Sequence, residues 1–243
     1  MQNSALTFKI GLKDGLPIAL GYLSVAFAFG MLTVEHGLAG WAAPAISLSN
    51  FTGTGQFVGM ELIASHVSLW ELAFTMFVVN IRYLLMSLTL SQRLDSQVSF
   101  SQRLLIAFGN TDEIFAVAMQ KQQTLPFSYM LGLILCSYFG WNVGTILGVV
   151  ASGILPLSVQ AALGIALYAM FIAIIIPPAK DSKPVLRIVI VSAVLSCIFK
   201  WFPFFASIGD GWIVIICGIV AAGLGAYFYP VQNNVAQAED GES

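Results

Sequence analysis

Apolar residues run along this chain in eight stretches, roughly 15–34, 40–64, 69–90, 103–119, 127–151, 157–177, 185–205 and 211–229, separated by short polar turns. Uninterrupted runs of roughly 20 residues predict helices long enough to cross a bilayer. Two stretches break that pattern in their middle. Residues 40–64 are interrupted by Ser49-Asn50-Phe51-Thr52-Gly53-Thr54-Gly55-Gln56, and 103–119 by Gly109-Asn110-Thr111-Asp112-Glu113. Polar groups and glycines at mid-membrane depth loosen a helix and bare its backbone, which is tolerated only against protein or a wet cavity. Paired interrupted segments are also the sequence pointer to a transporter's substrate site.

Composition agrees with lipid as the solvent. Of 243 residues, 58% are hydrophobic and 9% charged, too few charges to coat a soluble globule, which carries about 25%. The fold class expected is an all-α integral membrane protein, with about six full transmembrane helices and two interrupted or re-entrant segments. Residues 1–230 read as a single transmembrane transporter domain, and 231–243 as a disordered acidic tail. The run 15–34 is longer than a signal-peptide core and lacks a small-residue cleavage site before Glu35, so a retained first span is expected. A net charge of -2 offers no basic patch for nucleic acid. Cys136, Cys197 and Cys217 lie in apolar runs without metal spacing and read as small buried packing residues. No metal or cofactor is expected.

Lysine and arginine placement bears on the threading. If all eight stretches cross, the basic loops fall on both sides. If the two interrupted stretches return to the side they entered, Lys9, Lys13, Arg93, Arg103, Lys121, Lys180, Lys183 and Arg187 share one side, the cytoplasm, with both termini. The first break is then entered from outside and the second from the cytoplasm. Phe51 to Phe57 resembles Phe108 to Phe115, and each is followed by a helix with an in-membrane asparagine, Asn80 or Asn142. That is a possible inverted repeat suited to alternating access; a broken but spanning helix is the alternative.

Ionisable groups in lipid cost at least ~2.5–3.5 kcal/mol and need a reason. Asp112 and Glu113 are adjacent, about 100° apart on a helix, so one can meet a substrate ammonium or a proton while the other pairs with Arg82; a purely structural salt bridge that fixes the break is the alternative. Arg82 is a candidate clamp for a carboxylate or a cytoplasmic-end anchor. Gly53, Gly55 and Gln56 offer backbone and amide groups to a substrate, or a close helix contact. Asn80 lies deeper than Arg82. Trp141, Asn142 and Thr145 form a polar-aromatic stripe, with Gly144 and Gly148 as a packing edge, a face that serves either a substrate or packing alone. Glu61 and Glu71 flank a loop and read as interfacial, and His36 and His66 as surface histidines. No nucleotide-binding or hydrolase motif is present in the sequence, and no enzyme is expected.

Gly15-Leu16-Pro17, the break from Thr52 to Phe57, Asn80-Ile81-Arg82-Tyr83, Thr111-Asp112-Glu113 and Trp141 to Thr145 follow one another in an order and spacing that resembles the AzlC/YgaZ family. The family comprises the large subunits of bacterial branched-chain amino acid exporters, and the similarity runs over about 10–230. The resemblance implies export of neutral amino acids across the bacterial inner membrane, driven by the proton motive force. It also implies a small AzlD/YgaH-type membrane subunit as partner. One departure is Tyr83, where the family often has His after the Arg, which puts the proton route in question. A channel for a small polar solute or ion, or a non-transporting membrane scaffold, are the alternatives.

Overall fold

The computed structural model describes residues 6–154, 172, 175–176, 179–180, 182–202, 204 and 208–229. The chain divides into two units, 1–170 and 171–243. The expected span 157–177 falls almost wholly outside the described residues, and the expected tail 231–243 wholly so.

The first unit is built on a parallel pair of long helices, α1 (Phe8–Glu35) and α7 (Phe127–Ser152). Helix α1 begins inside the polar N-terminal stretch because Thr7 caps it, its hydroxyl accepting from Ile10 N. Its 28 residues give a length of about 42 Å, and both helices are apolar enough to cross a membrane. Gly11 lies against Tyr129, Gly15 against Leu133, Gly140 against Ala19, Gly144 against Leu23 and Gly148 against Phe27, so the two chains run in the same direction. The backbones touch. A Cβ at Gly15 would lie 2.8 Å from the Leu133 carbonyl oxygen, and one at Gly140 2.5 Å from that of Ala19. Small residues at such an interface let dispersion act between backbones where lipid removes any hydrophobic drive.

Two broken helices sit on this pair. The first consists of α2 (Ala42–Ser49) and α3 (Gly53–Ala64). Gly40 lies beside Val149 near the C-terminal end of the pair, while Phe51 reaches Tyr22 and Tyr138 midway along it. Helix α3 then climbs back, since Phe57 meets Phe29. Helix α4 (Leu69–Ser91) turns and descends antiparallel to α3, placing Met76 beside Gly59 and Asn80 beside Gly55. The second broken helix is α5 (Phe100–Phe108) and α6 (Asp112–Met119). It rises from the opposite end, where Arg103 donates to Ser91 O. Its tip lies at Tyr22, and the chain returns to Lys121, whose ammonium pairs with Asp14 at 2.8 Å. Both interrupted stretches are therefore re-entrant hairpins, entered from opposite ends.

The second unit, by itself, is an antiparallel pair of apolar helices, α8 (Lys183–Trp201) and α9 (Asp210–Phe228). Ile188 packs on Gly225, and Arg187 Nη1 donates to the Tyr229 hydroxyl at 2.6 Å. Five described helices are long and apolar enough to span a bilayer. The chain is an all-α membrane protein, its only β feature among the described residues being a lone bridge between Leu94 and Leu125.

Two expectations need correction. Of the three cysteines only Cys217 is buried, whereas Cys136 is half-buried and Cys197 exposed. The register of the two breaks also differs from the sequence match. The residues preceding α3 and α6 are Thr52 and Thr111, so these two threonines correspond, not Phe51 and Phe108. Shared Gly and Phe letters misaligned the breaks by two positions.

Candidate functional site

The two hairpin tips meet between α1, α4 and α7. At the first tip Thr52 Oγ1 donates to Asn50 Oδ1 at 2.7 Å, and so does not cap α3. The N-terminal turn of α3 therefore lacks a side-chain acceptor for its amides, which carry the positive end of the helix dipole. Gly55 lets Asn80 come close: a Cβ on it would lie 2.6 Å from both Asn80 Oδ1 and Thr52 Oγ1, so those side chains would have to shift.

The second tip has the same backbone path and the opposite chemistry. Thr111 Oγ1 accepts from Ile114 N at 3.3 Å, which caps α6. Asp112 and Glu113 occupy the first turn, the favourable end for carboxylates. They split as their spacing implies. Asp112 Oδ2 pairs with Arg82 Nη2 at 2.8 Å. Glu113 Oε2 accepts from the Tyr22 hydroxyl, which also lies 2.7 Å from Thr111 Oγ1. Asn110, at the tip itself, donates from Nδ2 to Ser87 Oγ at 3.2 Å.

Aromatic rings fill the ground between the tips, edge to face. Tyr22 lies 5.0 Å from Trp141 and 5.8 Å from Phe51, and Phe51 lies 5.3 Å from Tyr138. Phe108, preceding the second tip, lies 6.0 Å from Tyr138. Around this cluster several buried polar atoms have no protein partner: Asn80 Oδ1, Arg82 Nε, Asn110 Oδ1 and Trp141 Nε1. Buried polar groups are almost always satisfied, so such a concentration calls for a ligand or water.

The residues singled out from sequence fall into two groups. Gly53, Gly55, Asn80, Arg82, Asp112, Glu113 and Trp141 lie at or beside the tips. Gly53 approaches Trp141, the nearest ring atom 3.9 Å from its Cβ position. Gln56, Thr145 and Asn142 are tied up elsewhere. Gln56 Nε2 donates to Ser47 Oγ at 3.2 Å, and Ser47 bonds Thr145 Oγ1 at 2.8 Å. That buried chain fastens the first hairpin to α7. Asn142 Nδ2 donates to the Tyr138 carbonyl. Arg82 is matched by Asp112 and stacks beside Tyr83, its guanidinium carbon 5.1 Å from the ring centroid. Sequence reasoning missed Tyr22, Phe51, Tyr138 and Asn110. Asn110 lay inside a break already identified and was legible; Tyr22 was one tyrosine in an apolar helix.

The basic residues cluster at one end of this unit. Arg93 Nη2 donates to the Lys121 carbonyl, close to the Lys121–Asp14 pair. The connections at the other end, 36–41 and 65–68, hold no lysine or arginine. A groove of about 450 Å³ along α1 and α7, lined by Leu12, Leu16, Leu20 and Phe139, is apolar throughout and lacks the polar groups that orient a ligand.

Residues 17–155 match the AzlC protein family, a span that takes in most of α1, both hairpins and all of α7. The chain is 34% identical over 177 residues to the inner membrane protein YgaZ of Escherichia coli K12, covering 70% of this chain and 72% of that one. It is 35% identical over 182 residues to an uncharacterized membrane protein of Archaeoglobus fulgidus, covering 74% and 79% respectively. No solved structure matches.

Proposed function

The chain belongs to the AzlC family, and on that premise we propose that it is the large subunit of a secondary transporter that exports neutral, branched-chain amino acids across a bacterial inner membrane. The observation that carries this reading is the set of unpartnered donors and acceptors around two opposed hairpin tips. Trp141 Nε1, Arg82 Nε and the uncapped amides of α3 are donors for a carboxylate. Asn80 Oδ1 and Asn110 Oδ1 are acceptors for an ammonium. Arg82 cancels Asp112, which leaves Glu113 as the surplus negative charge. One ammonium, or one proton, answers it. The rings of Phe51, Tyr138 and Trp141 supply apolar walls for the side chain.

Hairpins that enter from opposite ends give alternating access a simple geometry. Withdrawing the first tip opens the site toward one end, and withdrawing the second opens it toward the other. Lysine and arginine clustered at the N-terminal ends of α1 and α7 support a reading in which those ends, and both termini, face the cytoplasm. A proton as coupling ion and a small AzlD/YgaH-type membrane subunit as partner complete the proposal.

Efflux of labelled valine, isoleucine and methionine from dipeptide-fed cells tests it, with this chain alone and together with the small subunit. Saturable efflux that collapses with an uncoupler is expected. Glu113→Gln should lower it about 10- to 100-fold at unchanged membrane expression, the loss expected for a hydrogen bond to charge. Efflux untouched by Glu113→Gln would remove that residue from the site, and flux without saturation would favour a channel.

A further inference from the structure

Helix α4 carries a second polar feature, away from the hairpin tips. Its buried residues are Glu71, Thr75 and Leu90, so on its first half everything buried is polar. Positions 71 and 75 are one turn apart, about 40° around the helix, and share a face. That face is not the one bearing Met76 and Asn80, which meets α3.

Both side chains decline the bond their local sequence offers. Ser68-Leu69-Trp70-Glu71 is the spacing of a capping box, in which the glutamate would reach back to the Ser68 amide. Only half is made. Ser68 Oγ accepts from Glu71 N at 3.2 Å, but Glu71 Oε1 is buried with no partner. At α5 the equivalent box closes, Ser99 N donating to Gln102 Oε1 at 2.9 Å. Thr75 behaves the same way. A hydroxyl buried in a helix ordinarily donates to the carbonyl four residues back, as Thr33, Ser137 and Thr145 do. Thr75, with no exposed surface, does not, and its Oγ1 has no partner.

We propose that Glu71 and Thr75 bind a small monovalent cation, a sodium ion, at a site separate from the hairpin tips. The chemistry offered is a carboxylate oxygen and a hydroxyl oxygen, both buried and both with free lone pairs, which suits a hard cation. The first turn of α4 favours a carboxylate, but one buried without a hydrogen-bond donor is still costly, and a bound cation offsets that cost. Few charged or titratable groups stand on the neighbouring elements. Helix α3 carries Glu61, the α3–α4 connection His66, and α6 Asp112 and Glu113. On α4 itself Arg82 and Tyr83 lie about 16 Å further along the axis.

The test uses the full chain purified in detergent and needs no transport, so it stands or falls apart from the export reading. Melting temperature is measured in sodium, potassium and choline chloride at constant ionic strength. Sodium alone raises it by about 2–4 °C, both Glu71→Gln and Thr75→Val abolish the rise, and Glu61→Gln leaves it in place. No sodium effect, or a sodium effect that survives in Glu71→Gln or in Thr75→Val, would overturn the site. Thr75→Val, nearly isosteric, keeps the test meaningful should Glu71→Gln fail to fold.

Discussion

The two hairpins use one backbone device for opposite electrostatic ends. Each breaks over three residues, Asn50 to Thr52 and Gly109 to Thr111, and each ends in a threonine that precedes a new helix. In the first, that threonine turns to Asn50 and leaves the helix start open and neutral. In the second, it caps the helix, and two carboxylates fill the turn. A polar break thus does not declare its own charge. What it offers depends on whether the capping hydroxyl faces forward into the helix or back into the turn. Two such tips facing each other set an uncapped helix start opposite a turn that carries two carboxylates.

The contrast disappears altogether if the scaffold beneath it fails. Gly148→Leu would drive a side chain into the backbone of Phe27, separating the pair on which both hairpins rest. Loss of monodisperse protein on size-exclusion chromatography is expected, and a well-folded variant would refute the close packing. A milder change isolates the first tip. Gly55→Ala places a methyl 2.6 Å from Asn80 Oδ1 and Thr52 Oγ1. It should raise the half-saturation concentration for efflux about 10-fold or more, since such sites tolerate little displacement. The smallest effect sharpens the comparison most directly. Thr111→Ala removes a cap and should cost about 1 kcal/mol, while Thr52→Ala removes none and should cost less. Chemical denaturation of the two variants side by side reads the difference, and equal losses would mean that Thr52 caps after all.

Much of this architecture was legible in the residues. The apolar runs located α4, α7, α8 and α9 to within about four positions, though α1 begins well before its run, at Phe8, and the distribution of lysine and arginine favoured re-entrance at the two breaks, as the structure has it. Asp112 and Glu113 divide their partners as a spacing of about 100° requires. What escaped was chiefly what a neighbour decides. Tyr22 gains its role from Thr111 and Glu113, roughly ninety residues away in sequence, and a lone tyrosine in an apolar helix gives no sign of it. Glu71 stands next to a loop in the sequence, yet whether a loop-adjacent residue is buried depends on what covers it. The register between the breaks was hidden because glycine and phenylalanine recur often enough to align by chance, whereas the position of a helix start is fixed by hydrogen bonds.

The parallel pairing of α1 and α7 also sets a timetable for making the protein. The first helix leaves the ribosome about 120 residues before its partner, an interval of roughly 6–24 s at ~5–20 residues per second. Through that interval its row of small residues faces lipid with nothing to hold. Neither hairpin has its far wall until α7 arrives, so the polar tips must wait in the bilayer or at its edge. Maturation of the whole unit is thereby tied to a single late docking event, and a chain halted before residue 127 would carry both polar breaks into the membrane with no aromatic wall to receive them.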